Sequence, residues 1–381
     1  MTINLPQTNN QSNKIVLTKN NSNTLASKIK KISTKFSSIP LSEKLFFIQH
    51  LSIMLKVGIS LLVCLKTLEK QTSNKKFSEI INDISSNVEK GTTFTESLKP
   101  HEKIFGQLFI NMIESGEISG KLEEVLQQLY IQFKKQHELI SKIKGALIYP
   151  VVLVVAIIGI GAFMMLVVVP QITSIFKELN TELPLPTKLL IGFSDTLIQH
   201  SILFSVSLII FIILFIKILK THRGKFIFQK LLLKTPICSP IIKKINLARF
   251  ARTMSSLLKT DIMIIKSFQI TANVINNLHY RNALKEIANK VKKGGKISNA
   301  VRNYPDLFSQ IVIQMITIGE KTGELDYILD ELAQFYENEV DQTMSNLPAI
   351  IEPILILFLG IIVGGMAIAI IMPMYSLSSV I

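Results

Sequence analysis

Charge is scarce in this chain of 381 residues: Asp, Glu, Lys and Arg make up 18% of it, against about 25% in ordinary soluble domains. With a mean hydropathy of +0.39, that shortage excludes a purely soluble protein and places part of the chain in lipid. Only two cysteines occur, Cys64 and Cys238, too far apart in sequence for a CxxC pair or a disulfide framework, so both read as small apolar fillers. Catalytic signatures are missing too. The string Gly294-Gly295-Lys296-Ile297-Ser298 lacks the spacing of a phosphate loop, and the HE pairs at His101 and His137 are followed by Phe105 and Ser141 where a zinc site needs a second His. The six histidines are scattered, there is no GxSxG elbow, and Glu352 is the one carboxylate at an apolar run. The sequence therefore predicts no catalytic residue, no metal and no cofactor. Residues 1–42 hold no apolar core of a secretory signal; rich in Asn, Ser, Thr and Lys, they read as a disordered tail. No alternating strand pattern or hairpin turn appears, which leaves an all-α protein.

Three runs are long enough to cross a bilayer, which takes about 20 helical residues. Residues 146–176 and 196–216 carry no Asp, Glu, Lys or Arg, and nothing charged follows Glu352. The net charge of +15 divides as +8 over residues 1–145, −1 over 146–196, +8 over 197–245 and 0 over 246–381. Basic clusters that flank apolar runs mark the cytoplasmic side of a membrane and argue against nucleic acid as partner. The expected organisation is a tail (1–42), a helical unit (43–145), a span (146–172), an external loop (173–195), a second span (196–218), a basic connector (219–245), a second unit (246–347), a third span (348–373) and an external tail (374–381). Both units would then be cytoplasmic.

Sliding the sequence by 203 residues aligns Phe47–Pro170 with Phe250–Pro373 without a gap. Coincident pairs include Gly91/Gly294, Gly116/Gly319, Glu117/Glu320, Gly120/Gly323, Leu122/Leu325, Pro150/Pro353 and Pro170/Pro373. Each copy is a unit followed by one span, and the second span returns the chain so that both units share a side. Helical stripes recur in register: Leu122, Val125, Leu126, Leu129 and Phe133 against Leu325, Ile328, Leu329, Leu332 and Tyr336. The fold class is thus an all-α polytopic membrane protein with two duplicated helical bundles and three transmembrane helices.

Four features are candidate sites. The strings SGEISGKL and IGEKTGEL (residues 115–122 and 318–325) read as helix-hairpin turns; an exposed Glu117–Gly120 or Glu320–Gly323 could also form a docking knob. Tyr149-Pro150 and Glu352-Pro353 stand where each unit enters the membrane, the prolines as helix starts and Glu352 as an interfacial carboxylate. Gly360 and Gly364 form a GxxxG that would let another helix approach within or between protomers. Finally, residues 121–144 hold five Lys against three Glu, whereas residues 324–347 hold seven acids and no Lys or Arg. The row that includes Glu337, Glu339 and Asp341 could steer a basic partner, either another protein or the Lys-rich stem of a neighbouring first copy.

The strings GEISGKLEEVLQQL, GALIYP, LPLPTKLLIGFSD, GEKTGELDYILDELAQFYENEV and IEPILILFLGIIVGGMAIAIIMPMY resemble the double domain of type II secretion system protein F, from about residue 44 to the end. Two departures stand out: Asp261 replaces the Gly58 of the first copy, and residues 1–42 match nothing in that pattern. The resemblance implies a non-enzymatic inner-membrane platform protein of type IV pilus assembly, type II secretion or competence pili. It would be a homo-oligomer in the bilayer, meeting an assembly ATPase, pilin or pseudopilin subunits and other inner-membrane assembly proteins. The rival reading, a transporter or channel built from duplicated halves, requires polar groups at mid-span and broken helices in both halves; here the span interiors are aliphatic and the span count is odd.

Overall fold

A computed structural model describes residues 39–178 and 185–378. Most of the expected tail (residues 1–38), part of the external loop (179–184) and the last three residues lie outside the described residues. Among the described residues every regular element is helical. Unit 1 comprises α1 (Leu41–Lys56), α2 (Leu61–Gln71), α3 (Lys75–Glu89), α4 (Phe94–Leu98), a single turn at Glu102–Phe105, α5 (Gln107–Ser119) and the start of α6 (Leu122–Phe163). Unit 2 comprises α11 (Cys238–Leu258), α12 (Ile264–Val274), α13 (Leu278–Lys292), α14 (Ile297–Arg302), α15 (Gln310–Thr322) and the start of α16 (Leu325–Ser378). The offset of 203 residues holds for the first residue of all five helices from α12 to α16.

Local chemistry sets these boundaries twice over. Asn74 accepts from the Phe77 N–H to cap α3, and its counterpart Asn277 accepts from His279 and Tyr280 N–H groups to cap α13. Glycines in the left-handed region end α5 and α15, at Gly120 (φ 73°) and Gly323 (φ 80°). Each unit closes around aromatic rings that are fully buried: Phe47 lies 5.6 Å from Phe77 in unit 1, and Phe250 lies 5.4 Å from Phe308 in unit 2. Burying each such ring contributes about 1.5–3 kcal/mol. The stripe of α6 is buried from Val125 to Phe133, and that of α16 at Leu329, Leu332 and Tyr336.

Among the described residues, three helices are long and apolar enough to cross a membrane: Leu122–Gln171, Ser201–Lys220 and Leu325–Ala369. The 42 residues of α6 and the 54 of α16 each run unbroken from bundle into apolar segment, so α16 is about 80 Å long at 1.5 Å per residue. This corrects the reading of Pro150 and Pro353 as helix starts, because Pro150 lies well inside α6, where it is buried, and Pro353 lies well inside α16. Further on, a π-helical segment, Met164–Val168, leads into α7 (Val169–Glu178) just ahead of Pro170. A proline removes one helical hydrogen bond and crowds the carbonyl four residues back, which a widened turn relieves.

Much of the expected external loop is helical too: α8 (Leu185–Gln199) lies against both outer helices, Thr187 Oγ1 donating to Ala369 O at 2.6 Å and Ser194 Oγ to Met165 O at 2.6 Å. The second span, α9 (Ser201–Lys220), leads to the basic α10 (His222–Lys234). That helix docks on unit 2, where the Leu278 N–H donates to Gln229 Oε1 at 2.8 Å and Phe226 packs 4.1 Å from His279.

Candidate functional site

The repeated motif turns inward. In unit 1 the Glu117 carboxylate accepts from the backbone N–H groups of Phe94 at 2.6 Å and Thr95 at 2.9 Å, where α4 begins. In unit 2 Glu320 does the same for Ile297 at 2.6 Å and Ser298 at 3.2 Å, and also accepts from the Ser298 hydroxyl. Each carboxylate supplies acceptors that a short helix start otherwise lacks. Burial pushes the Glu320 carboxyl up, but the Ser298 and backbone bonds outweigh it and hold it below the ordinary carboxylate range. The preceding glycines serve packing. A Cβ on Gly116 would sit 2.9 Å from Val125 Cγ2, and one on Gly319 would sit 3.0 Å from the Leu325 Cα. The sequence allows an exposed docking knob at Glu117 and Glu320; the structure half-buries both and spends their oxygens on the chain itself. Gly120 and Gly323 are exposed turn residues.

The two units meet through polar contacts between α5–α6 and α11–α12. Gln132, buried on α6, donates to Thr253 Oγ1 at 3.1 Å and accepts from Ser256 Oγ at 3.0 Å. Ser115 Oγ donates to Thr260 O at 2.8 Å, and Lys266 Nζ lies 2.9 Å from Glu114. These residues escape a reading by single motif. The available signal is the contrast between copies: Gln132 interrupts an apolar stripe where the second copy has Phe335.

The acidic row of α16 also has its partners inside the chain. Arg252, almost fully buried, clamps Glu337 with two bonds of 2.7 and 2.9 Å and reaches Asp330 with its remaining guanidinium nitrogen. Lys259 joins Asp330 at 2.9 Å, Lys244 joins Glu339 at 2.8 Å, Lys135 of α6 stands 3.8 Å from Glu337, and Lys142 of α6 bonds Asp341. Burial raises the Asp330 carboxyl, yet the Lys259 and Arg252 bonds prevail and keep it below its usual value. The Lys-rich stem that faces Glu337 and Asp341 is thus the chain's own. The pairing is ascending along both helices, so α6 and α16 run parallel, with Leu139, Val340 and Met344 buried between them.

Farther along, Tyr149 stands near Glu352, so two positions related by the offset of 203 approach each other across the stems. At Gly360 and Gly364 an added Cβ would meet nothing within 4 Å. Among the described residues, no helix packs closely against these two glycines.

This duplicated architecture agrees with the comparisons. The model of the family described as type II secretion system (T2SS), protein F, matches residues 47–170 and 250–373, the same stretches that the internal offset pairs. The chain belongs to that family. It is 32% identical over 346 residues (91% of this chain and 83% of the relative) to the type IV pilus assembly protein PilC of Myxococcus xanthus. It is 34% identical over 337 residues (88% and 83%) to PilC of Thermus thermophilus, and 29% identical over 331 residues (87% and 81%) to the type II secretion system protein F of Vibrio cholerae.

Proposed function

We propose that the chain is a non-enzymatic platform protein in the inner membrane of a bacterium. In this reading it couples a cytoplasmic assembly ATPase to the insertion of pilin or pseudopilin subunits into a filament. The observation that carries it is a pair of family bundles, each continuous with an apolar helix through a parallel, charge-paired stem. Such stems couple a bundle to its span, because one helix runs through both, with prolines at Pro150, Pro348 and Pro353 setting where it can bend. Basic residues at Lys134, Lys135, Lys142 and Lys144 before the first span, and from Lys217 to Lys234 after the second, support a cytoplasmic side for both units.

The test is deletion of the coding sequence with complementation in the source strain. Loss of surface filaments or of filament-dependent export, restored by the chain and accompanied by co-purification with the assembly ATPase, is the expected result. Normal filaments and export in the deletion strain would refute the reading.

A further inference from the structure

The contact between the two units is one-sided. Unit 1 offers α5 and α6, unit 2 offers the end of α11 and α12, and Leu257, Ile262 and Ile270 of unit 2 join the core of unit 1. A two-fold relation would repeat this contact with the roles exchanged, α15–α16 of unit 2 against α1–α2 of unit 1. It is not repeated. Phe335 and Ile318 of unit 2 remain 45% and 48% exposed, and Ile53, Val57, Ile59 and Val63 of unit 1 remain 51%, 70%, 37% and 52% exposed.

These six residues are the counterparts, by the offset of 203, of residues that make the internal contact. Phe335 corresponds to Gln132, and Ile53 to Ser256, whose hydroxyl donates to Gln132 across the interface. Ile318 corresponds to Ser115, and Val57 to Thr260, whose carbonyl takes the Ser115 hydroxyl. Val63 corresponds to Lys266, and Ile59 to the buried Ile262. Two polar pairings inside the chain are therefore matched by two apolar pairings with no partner, on helices that repeat those of the internal contact. Exposed apolar residues gathered at matching positions mark an interface, whereas scattered ones need no explanation.

We propose that a second copy of this chain covers both faces: α15–α16 of one copy docks on α1–α2 of the next, placing Phe335 against Ile53 and Ile318 against Val57. This goes beyond the platform reading and stands on the duplication alone. A one-sided contact leaves a free donor face and a free acceptor face on every copy, so it builds a ring or a row. Because α6 and α16 run parallel, the operation that relates unit 1 to unit 2 keeps both stems pointing the same way. Repeating it sets copies side by side in the plane of the membrane. Lipid does not cover these faces: Phe335 precedes Pro348 by 13 residues, about 20 Å of helix.

The proposal is tested by disulfide crosslinking of the full-length chain in membranes, with Cys64→Ala and Cys238→Ala as background. Ser115→Cys with Thr260→Cys is the internal control and should close within one chain. Ile53→Cys with Phe335→Cys in the same chain should give a ladder of two, three and more chains, or a closed covalent ring. The two single variants, mixed, should stop at dimers, and each alone should stay monomeric. Adding Ile318→Asp should cut the higher bands roughly tenfold, as loss of a central apolar anchor does, with the internal crosslink unchanged. A closed internal control with no chain-to-chain product overturns the proposal, since a different protein then covers the faces or they stay open. Dimers from one single variant overturn it in favour of a two-fold contact, and an open internal control removes its basis.

Discussion

At the scale of the residue, one backbone conformation tells the copies apart. Asp261 has φ 59°, and its counterpart Gly58 has φ 85°. The left-handed region costs an L residue about 1–2 kcal/mol, less for Asp, whose short side chain bonds locally. Asp261 gains a pairing with Lys121 at 3.6 Å in return, but both side chains are well exposed, and such pairs contribute about 0–1 kcal/mol. Asp261→Gly should therefore raise thermal stability slightly, by no more than about 1 kcal/mol, measured by thermal unfolding in detergent. The motif carboxylates behave oppositely. Glu320→Ala removes the acceptor of two backbone N–H groups and should cost about 1–2 kcal/mol, where a residue that only docks a partner would leave unfolding unchanged. Glu320 and Asp330 both sit below their ordinary pKa in the folded chain. A depressed carboxylate stabilises above its unfolded pKa of about 4 and loses that contribution as pH falls through the folded value. Unfolding temperature should thus fall as pH drops below about 4, and Glu320→Gln should flatten that dependence.

At the scale of the element, the motif Gly-Glu-x-x-Gly-x-Leu performs three tasks within two turns of chain. Its first glycine lets α5 close on α6, its glutamate caps α4, and its second glycine ends the helix. Gly116→Ala presses a methyl group against Val125 and the Leu122 backbone and should cost about 1–3 kcal/mol, read by the same melts. The repeat, the glycine turns and the stripes of α6 and α16 were legible because apolar spacing and left-handed turns leave periodic marks in sequence. The inward aim of Glu117 and Glu320 was not, because a carboxylate after a glycine looks alike whether it faces solvent or a helix start 23 residues earlier. Nor was the role of Pro150, since a proline at the head of an apolar run is ordinarily a helix start; only the unbroken stem shows that the helix had begun at Leu122.

At the scale of the whole molecule, duplication supplies two stems and charge divergence joins them. The acids of α16 read in sequence as a surface for a basic partner, another protein or the Lys-rich stem of a neighbouring copy; the fold makes Lys135 and Lys142 of the same chain the neighbours of Glu337 and Asp341. Which surfaces meet depends on the relation between units, and a sequence pattern within one unit does not encode it. Arg252→Met would leave Asp330 and Glu337 short of their buried partner and should cost about 1.5–3 kcal/mol, loosening unit 2 from its own stem, read as earlier proteolysis of α16 below Pro348. Everything proposed for the platform requires both stems to enter the membrane from one side. Cysteines at the equivalent exposed positions Lys90 and Lys293, and at exposed Lys188 on α8, report this directly when intact spheroplasts meet a membrane-impermeant maleimide. Lys90→Cys and Lys293→Cys should both stay unlabelled until the membrane is opened, while Lys188→Cys labels at once. Labelling that places Lys90→Cys and Lys293→Cys on opposite faces, or all three on one face, would contradict the account.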